Sequence, residues 1–195
     1  MQLVAKQFIS ASELLEDSFK LASKILASGF KPTFIVGIWR GGAPIGIAVQ
    51  ELFEFCGVST NHIAIRTAFY SALDQKCRKI EVHGLEYLVK HLKSSDQLLI
   101  VDDVHDSGLS IAEVIKQLQL ACADNIPATI KIATPYYKPA NIKSANRPDF
   151  YLYETDKWLV FPHEIQGLSR QELLQYKPEL ASIAESVSTY LPDNN

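Results

Sequence analysis

Leu98-Leu99-Ile100-Val101-Asp102-Asp103-Val104-His105-Asp106-Ser107-Gly108-Leu109-Ser110 is the stretch from which the rest of the chain can be read. Four apolar residues in unbroken succession predict a strand buried on both faces, and that strand stops at two adjacent carboxylates. A third carboxylate, Asp106, follows, then a Ser-Gly-x-Ser turn, then helical spacing from Ile111 to Cys122. Strand, polar turn and helix in that order belong to a parallel sheet covered by helices, where ligands bind beyond the carboxyl ends of the strands. The first N–H groups of a helix have no intrahelical partner, so with the hydroxyls of Ser107 and Ser110 they make an anion site. Three acids beside it would repel a bare phosphate. They suit a ligand that also carries hydroxyl groups or a divalent cation, and a sugar phosphate chelating Mg²⁺ meets both demands. Acidic residues that merely complement a helix dipole would account for one carboxylate near the helix, not for a pair ending a strand and a third in the loop. A P-loop is excluded, because GxxxxGK[ST] occurs nowhere.

The same alternation extends in both directions. Upstream, Ser10 and Glu13 form a capping-box pattern that opens an amphipathic helix, ended by Gly29 and Pro32. Thr33 to Ile38 reads as a short buried strand, and the turn Trp39-Arg40-Gly41-Gly42 leads into a helix from about Ala43 to Phe55. Ile63 to Ile65 is strand-like, whereas Arg66 to Lys79 is polar without a clear period and has the length of a lid. Leu85 to Leu92 reads as helix. Downstream, Thr129 to Ala133, Phe150 to Tyr153 and Trp158 to Phe161 read as strands, and a second capping box, Ser169 and Glu172, opens a C-terminal helix. The expected fold is α/β, a mainly parallel twisted sheet flanked by helices, built as one domain over residues 1–195.

Composition narrows the function. The chain has 195 residues, 47% hydrophobic and 21% charged, which excludes disordered, collagenous and coiled-coil readings. A net charge of −3 provides no basic field for nucleic acid. No apolar run approaches the ~20 residues of a membrane helix, and the opening MQLVAKQFIS lacks the apolar core of a secretory signal. Cys56, Cys77 and Cys122 include no CxxC pair and read as reduced thiols. Together these point to a cytoplasmic protein without nucleic-acid or membrane partners.

The acidic strand end resembles the PRPP-binding motif of the type I phosphoribosyltransferases at every position: apolar strand, two acids, two residues, Asp, Ser or Thr, Gly, one residue, Ser or Thr. The resemblance implies that Asp102 and Asp103 hold the ribose hydroxyls and the Mg²⁺ shell, and that Ser107, Gly108, Leu109 and Ser110 bind the 5-phosphate. Asp106 then lies where the family's purine enzymes place a carboxylate near N7 of the base, as a proton acceptor. Val36-Gly37-Ile38-Trp39-Arg40-Gly41-Gly42 resembles the family's pyrophosphate loop, in which Arg40 and the amides around Gly41 contact the leaving group and the peptide before the basic residue is often cis.

Tyr137-Lys138-Pro139-Ala140 and Asp156-Lys157-Trp158-Leu159-Val160-Phe161-Pro162-His163-Glu164 resemble the purine-binding part, a small base-binding hood, of the 6-oxopurine enzymes. Carried over, Lys138 donates to O6 of the base and Trp158 stacks on its ring. The main chain at Leu159 meets the pyrimidine edge, and Glu164 lies near the pyrophosphate and a second Mg²⁺. The implied activity is transfer of the phosphoribosyl group of PRPP to hypoxanthine, guanine or xanthine, by a homo-oligomer, dimer or tetramer. The resemblance covers about Phe30 to Gln166. Leu109 departs from it, because that turn position is basic in some relatives; His163 stands where close relatives tend to have Trp. A PRPP-binding regulator of the same fold and a phosphoribosyltransferase for another base stay open, though an ammonium at Lys138 suits a C6 carbonyl rather than an amino group.

Overall fold

The computed structural model describes residues 6–71 and 78–187. They fall into two compact units, one of Leu15–Asp156 and one of Met1–Leu14 with Lys157–Asn195. The larger unit is a sheet between helices. Its strands are β2 (Phe34–Trp39), β3 (Asn61–Ser71), β4 (Arg78–His83), β5 (Gln97–Val101), β6 (Val104–His105), β7 (Thr129–Tyr137) and β8 (Phe150–Glu154). The smaller unit holds β1 (Lys6–Phe8) and β9 (Trp158–Val160), which pair in parallel.

The large sheet runs β4-β3-β2-β5-β7-β6, with β8 also paired to β7. Every pairing in it is parallel except β3 with β4. The chain thus builds outward from β2 to one edge, then returns to β2's other side with β5 and builds away again. The reversal lies between β2 and β5, the place where open α/β sheets leave a crevice at the strand ends.

The strand sequences explain their burial. Phe34, Val36, Ile38, Leu98, Ile100 and Ile132 form one apolar face, packed with Leu88 and Leu92 of α3 (Glu86–His91) and its exit, and with Ile111, Val114 and Leu118 of α4 (Leu109–Cys122). Ile35, Leu99 and Val101 alternate with these and are buried too, so the unbroken apolar runs mean what they did in the sequence. On β2, Gly37 lets α2 (Gly42–Phe55) approach closely, since a Cβ there would lie 3.2 Å from the carbonyl oxygen of Gly42.

The Ser10–Glu13 capping box forms as expected: the Ser10 N–H donates to the Glu13 carboxylate at 2.8 Å and the Glu13 N–H to Ser10 Oγ at 3.2 Å. It opens α1 (Ala11–Ala27). The second box likewise opens α5 (Arg170–Tyr176), which α6 (Ala181–Ser186) follows. Arg66 to Ser71 and Arg78 to Lys79, without a clear period in the sequence, lie in two antiparallel strands, Arg66 opposite His83 and Ser71 opposite Arg78. Cross-strand pairing supplies the order that the local sequence does not show. The rest of that stretch, residues 72–77, lies outside the described residues. The short strands β1 and β6, and residues 80–83 of β4, escaped the sequence reading altogether.

Among the described residues no helix is long and apolar enough to cross a membrane. Cys56, exposed, and Cys122, buried, are free thiols.

Candidate active site

The crevice between β2 and β5 receives both of the loops singled out in the sequence. After β2 the chain turns through Arg40 and Gly41, and the Trp39–Arg40 peptide is cis. A Cβ added to Gly41 would collide with the carboxylate of Asp103, and one added to Gly42 would collide with the Val101 carbonyl. Only glycine lets this turn lie against the acidic strand end. Arg40 itself is exposed at the rim.

Beyond β5, the Asp103 N–H donates to Asp102 Oδ1 at 3.0 Å, and the Val104 N–H donates to Asp103 Oδ1 at 2.7 Å. Burial, and next the charge of Asp103 alongside, push the Asp102 carboxyl well above the usual carboxylate range. β6 then continues the β5 register along β7, with Val104 beside Tyr136 and His105 beside Tyr137. Gly108 sits at φ +73, in the left-handed region, where the turn reverses into α4. Leu109, the first residue of α4, sends its N–H to Ser107 Oγ at 3.4 Å.

A cleft of about 430 Å³ opens over this turn. Asp102, Asp106, Ser107, Gly108, Leu109 and Ser110 line it together, so the structure gathers most of the sugar-phosphate set expected from the sequence. Its second wall holds Ile80 of β4 and, from the segment after β7, Lys143. In that segment the Lys138 N–H donates to the His105 carbonyl at 2.9 Å, and the Lys143 N–H to the Ser107 carbonyl at 3.0 Å. The Lys138 ammonium, nearly buried, stands 3.7 Å from Asp106 Oδ2. Asn141 Nδ2 donates to the other oxygen of Asp106 at 2.8 Å.

His105 lies between the acids but holds the loop rather than facing solvent. It is 1% exposed, its Nε2 meets the Asn146 carbonyl at 3.2 Å, and its Nδ1 has no hydrogen-bond partner. Burial holds its pKa below the usual histidine value, against the pull of the Asn146 carbonyl and of Asp106, so the ring is neutral near pH 7. An Nε2–H donated to a carbonyl leaves only the enclosed Nδ1 to accept a proton.

The other residues that the resemblance implies for base binding belong to the smaller unit. Trp158 is 60% exposed at the start of β9, opposite Lys6 of β1, and Leu159 is buried opposite Gln7. Glu164 closes the turn after β9: its Oε2 accepts from the Phe161 N–H at 3.1 Å, and its own N–H donates back to the Phe161 carbonyl at 3.0 Å. Lys177, 3% exposed, donates to the carbonyls of Phe161 and Pro162 at 2.7 and 2.9 Å and fixes that turn from below.

Asn141 and Lys143 escaped the sequence reading. The signal available was position, since both follow a strand's carboxyl end, but they sit in a polar stretch with no motif. Among the described residues, no three His, Cys, Asp or Glu side chains converge as a metal-binding group.

Comparison with known proteins follows the same lines. A family model described as phosphoribosyl transferase domain matches residues 10–172. A purine phosphoribosyltransferase structure from Pyrococcus horikoshii is 26% identical, with a TM-score of 0.67, over 85% of this chain and 98% of that one. Two others share the fold. A Neisseria gonorrhoeae hypothetical protein with bound ppGpp is 20% identical with a TM-score of 0.70, over 94% of this chain and 99% of that one. The Helicobacter pylori xanthine-guanine-hypoxanthine phosphoribosyltransferase is 20% identical with a TM-score of 0.63, over 80% and 92%. No curated protein sequence matches the chain.

Proposed function

The chain belongs to the phosphoribosyl transferase domain family, and from that premise we propose that it transfers the phosphoribosyl group of PRPP to a 6-oxopurine base, hypoxanthine, guanine or xanthine. The products are a nucleoside 5-monophosphate and pyrophosphate. The observation that carries the choice of base is the 3.7 Å separation of the Lys138 ammonium and Asp106 Oδ2. A 6-oxopurine presents a carbonyl oxygen and a ring N–H side by side on one edge, and a donor beside an acceptor matches that edge. An amino group at C6 would face the ammonium with its own donors. The purine enzyme at 26% identity supports the same reading.

Each residue then has a defined task. Asp106 accepts or orients the N7 proton and so makes N9 more nucleophilic, a contribution typically worth ~10²–10⁴ in rate. Ser107, Ser110 and the first amides of α4 hold the 5-phosphate, which fixes the anomeric carbon against the base. Asp102 and Asp103 take the ribose hydroxyls. Arg40 and the amides beside Gly41 meet the negative charge that develops on departing pyrophosphate. Trp158, Leu159 and Glu164 keep, as proposals, the roles that the resemblance implies.

Mg²⁺ belongs to this reading. Two adjacent carboxylates, one of them pushed well above the usual range by burial and by its neighbour, are relieved by a divalent cation. Asp102 and Asp103 would hold it, with Glu164 assigned to a second ion; substrate oxygens and waters complete the shell that Mg²⁺ prefers. Bound there, it would neutralise charge on the pyrophosphate. The same reading makes the protein a cytoplasmic homo-oligomer. Free Cys56 and Cys122 are consistent with a reducing compartment, and the exposed Ile47 and Phe55 of α2 offer apolar surface to a second copy.

The deciding experiment is a spectrophotometric assay of PRPP with Mg²⁺ and each nucleobase in turn. Turnover is expected with at least one 6-oxopurine and with neither adenine nor a pyrimidine. PRPP binding without turnover of any base would identify a regulator instead.

A further inference from the structure

The phosphate end of the cleft is short of positive charge. Asp102 and Asp106 line it, whereas Leu109, between Gly108 and Ser110, adds none. Backbone amides and two hydroxyls contribute partial charges only, against a ligand phosphate close to −2 at neutral pH. Among the residues lining the cleft, Lys143 brings the full cation, and it arrives from the second wall rather than from the phosphate turn.

Its placement is held by more than proximity. The Lys143 N–H donates to the Ser107 carbonyl at 3.0 Å, so its backbone is fastened to the residue that opens the turn. Two flanking contacts pin the same segment: Asn141 to Asp106 at 2.8 Å, and the Asn146 carbonyl to His105 Nε2 at 3.2 Å. Ser144 Oγ packs so close to Gly108 that a Cβ there would collide with it. With the backbone fixed and the residue exposed, the ammonium is free to close on a ligand.

We propose that Lys143 binds the 5-phosphate of PRPP, supplying from the loop after β7 the charge that the turn lacks at Leu109. This rests on the functional reading above and assigns one more residue to the same site. An ammonium–phosphate contact is charge-assisted and sensitive to salt.

The test is calorimetric titration of wild type, Lys143→Met, Lys143→Arg and the double variant Lys143→Met/Leu109→Lys with Mg²⁺-PRPP and with ribose 5-phosphate. Ribose 5-phosphate carries the phosphate without pyrophosphate, so it isolates this end of the cleft. Lys143→Met is expected to weaken both ligands by ~10-fold and to flatten the dependence of affinity on salt. Lys143→Arg should retain binding, and Leu109→Lys should restore much of the loss by returning a cation to the opposite wall. Circular dichroism checks folding, which the main-chain bond to Ser107 leaves intact. Equal affinities for wild type and Lys143→Met would overturn the inference alone. A wild-type protein that binds neither ligand would overturn the functional reading, and this inference with it.

Discussion

Asp106 has two oxygens, and the loop after β7 treats them differently. Oδ1 accepts from Asn141 at 2.8 Å, while Oδ2 faces Lys138 at 3.7 Å. If the carboxylate takes a proton from the base, Oδ2 is the oxygen that does so and Asn141 sets its direction. Asp106→Asn keeps size and hydrogen bonding but cannot accept a proton, so kcat should fall by ~10² or more with little change in the KM for PRPP. Ser110→Ala should do the reverse, because a phosphate contact is made in ground and transition states alike. Asn141→Leu keeps the carboxylate and loses its alignment, and a smaller kcat loss of ~10-fold is expected. Steady-state kinetics at saturating purine and Mg²⁺ distinguish the three. Near-normal turnover in Asp106→Asn would assign the proton to solvent or another group. Asp106 and Lys138 could be singled out from sequence because each stands in a motif. Asn141 acts only through a partner 35 positions away, a relation that no local pattern displays.

Elements followed the same logic. β2, β5 and α4 were readable because an apolar run, a breaker and a helical period are all local signals. The β3–β4 hairpin was not, since Arg66 to Ser71 owe their strand to partners at Arg78–His83. β7 continued beyond its expected end at Ala133 for a related reason: β6 and β8 extend the pairing to Tyr137 and so set where Lys138 begins. The turn after β9 carries a prediction at this scale. Lys177 donates to two main-chain carbonyls there, and burial holds its pKa below the ordinary 10.5 of a lysine. The unfolded chain therefore binds the proton more tightly. The corresponding stability is fully present above about pH 10.5 and is lost as pH falls through the folded value. Lys177→Met removes this titration and leaves the Pro162 carbonyl without its ammonium, at a cost of ~1–3 kcal/mol. Denaturant unfolding should show wild type gaining on the variant as pH rises from below the lowered folded value of Lys177 toward 10.5. A constant gap would mean that the ammonium is not desolvated.

At the scale of the molecule, a sheet that reverses between β2 and β5 puts the site where two loops distant in sequence meet. The class of fold was legible from apolar runs alternating with helical periods, and the site's place from the rule that loops follow strand ends. The strand order was not, because nothing in the β2 sequence says that β5 rather than β4 will lie against its second side. That order has a consequence in time. β2 aligns Phe34 with Leu98 of β5 and Phe34 with Asn61 of β3. On a ribosome adding roughly 5–20 residues per second, Phe34 to Trp39 is therefore made seconds before the partner for one of its edges exists. Until then a strand of apolar residues has an open side, the kind of edge on which nascent chains stick to one another. Nascent chains stalled before Gln97 should accordingly bind a chaperone and aggregate when released, whereas chains extended beyond β7 should not. Pelleting of stalled and extended chains would measure it, and equal solubility of the two would mean that α2 or another early segment shields the waiting strand.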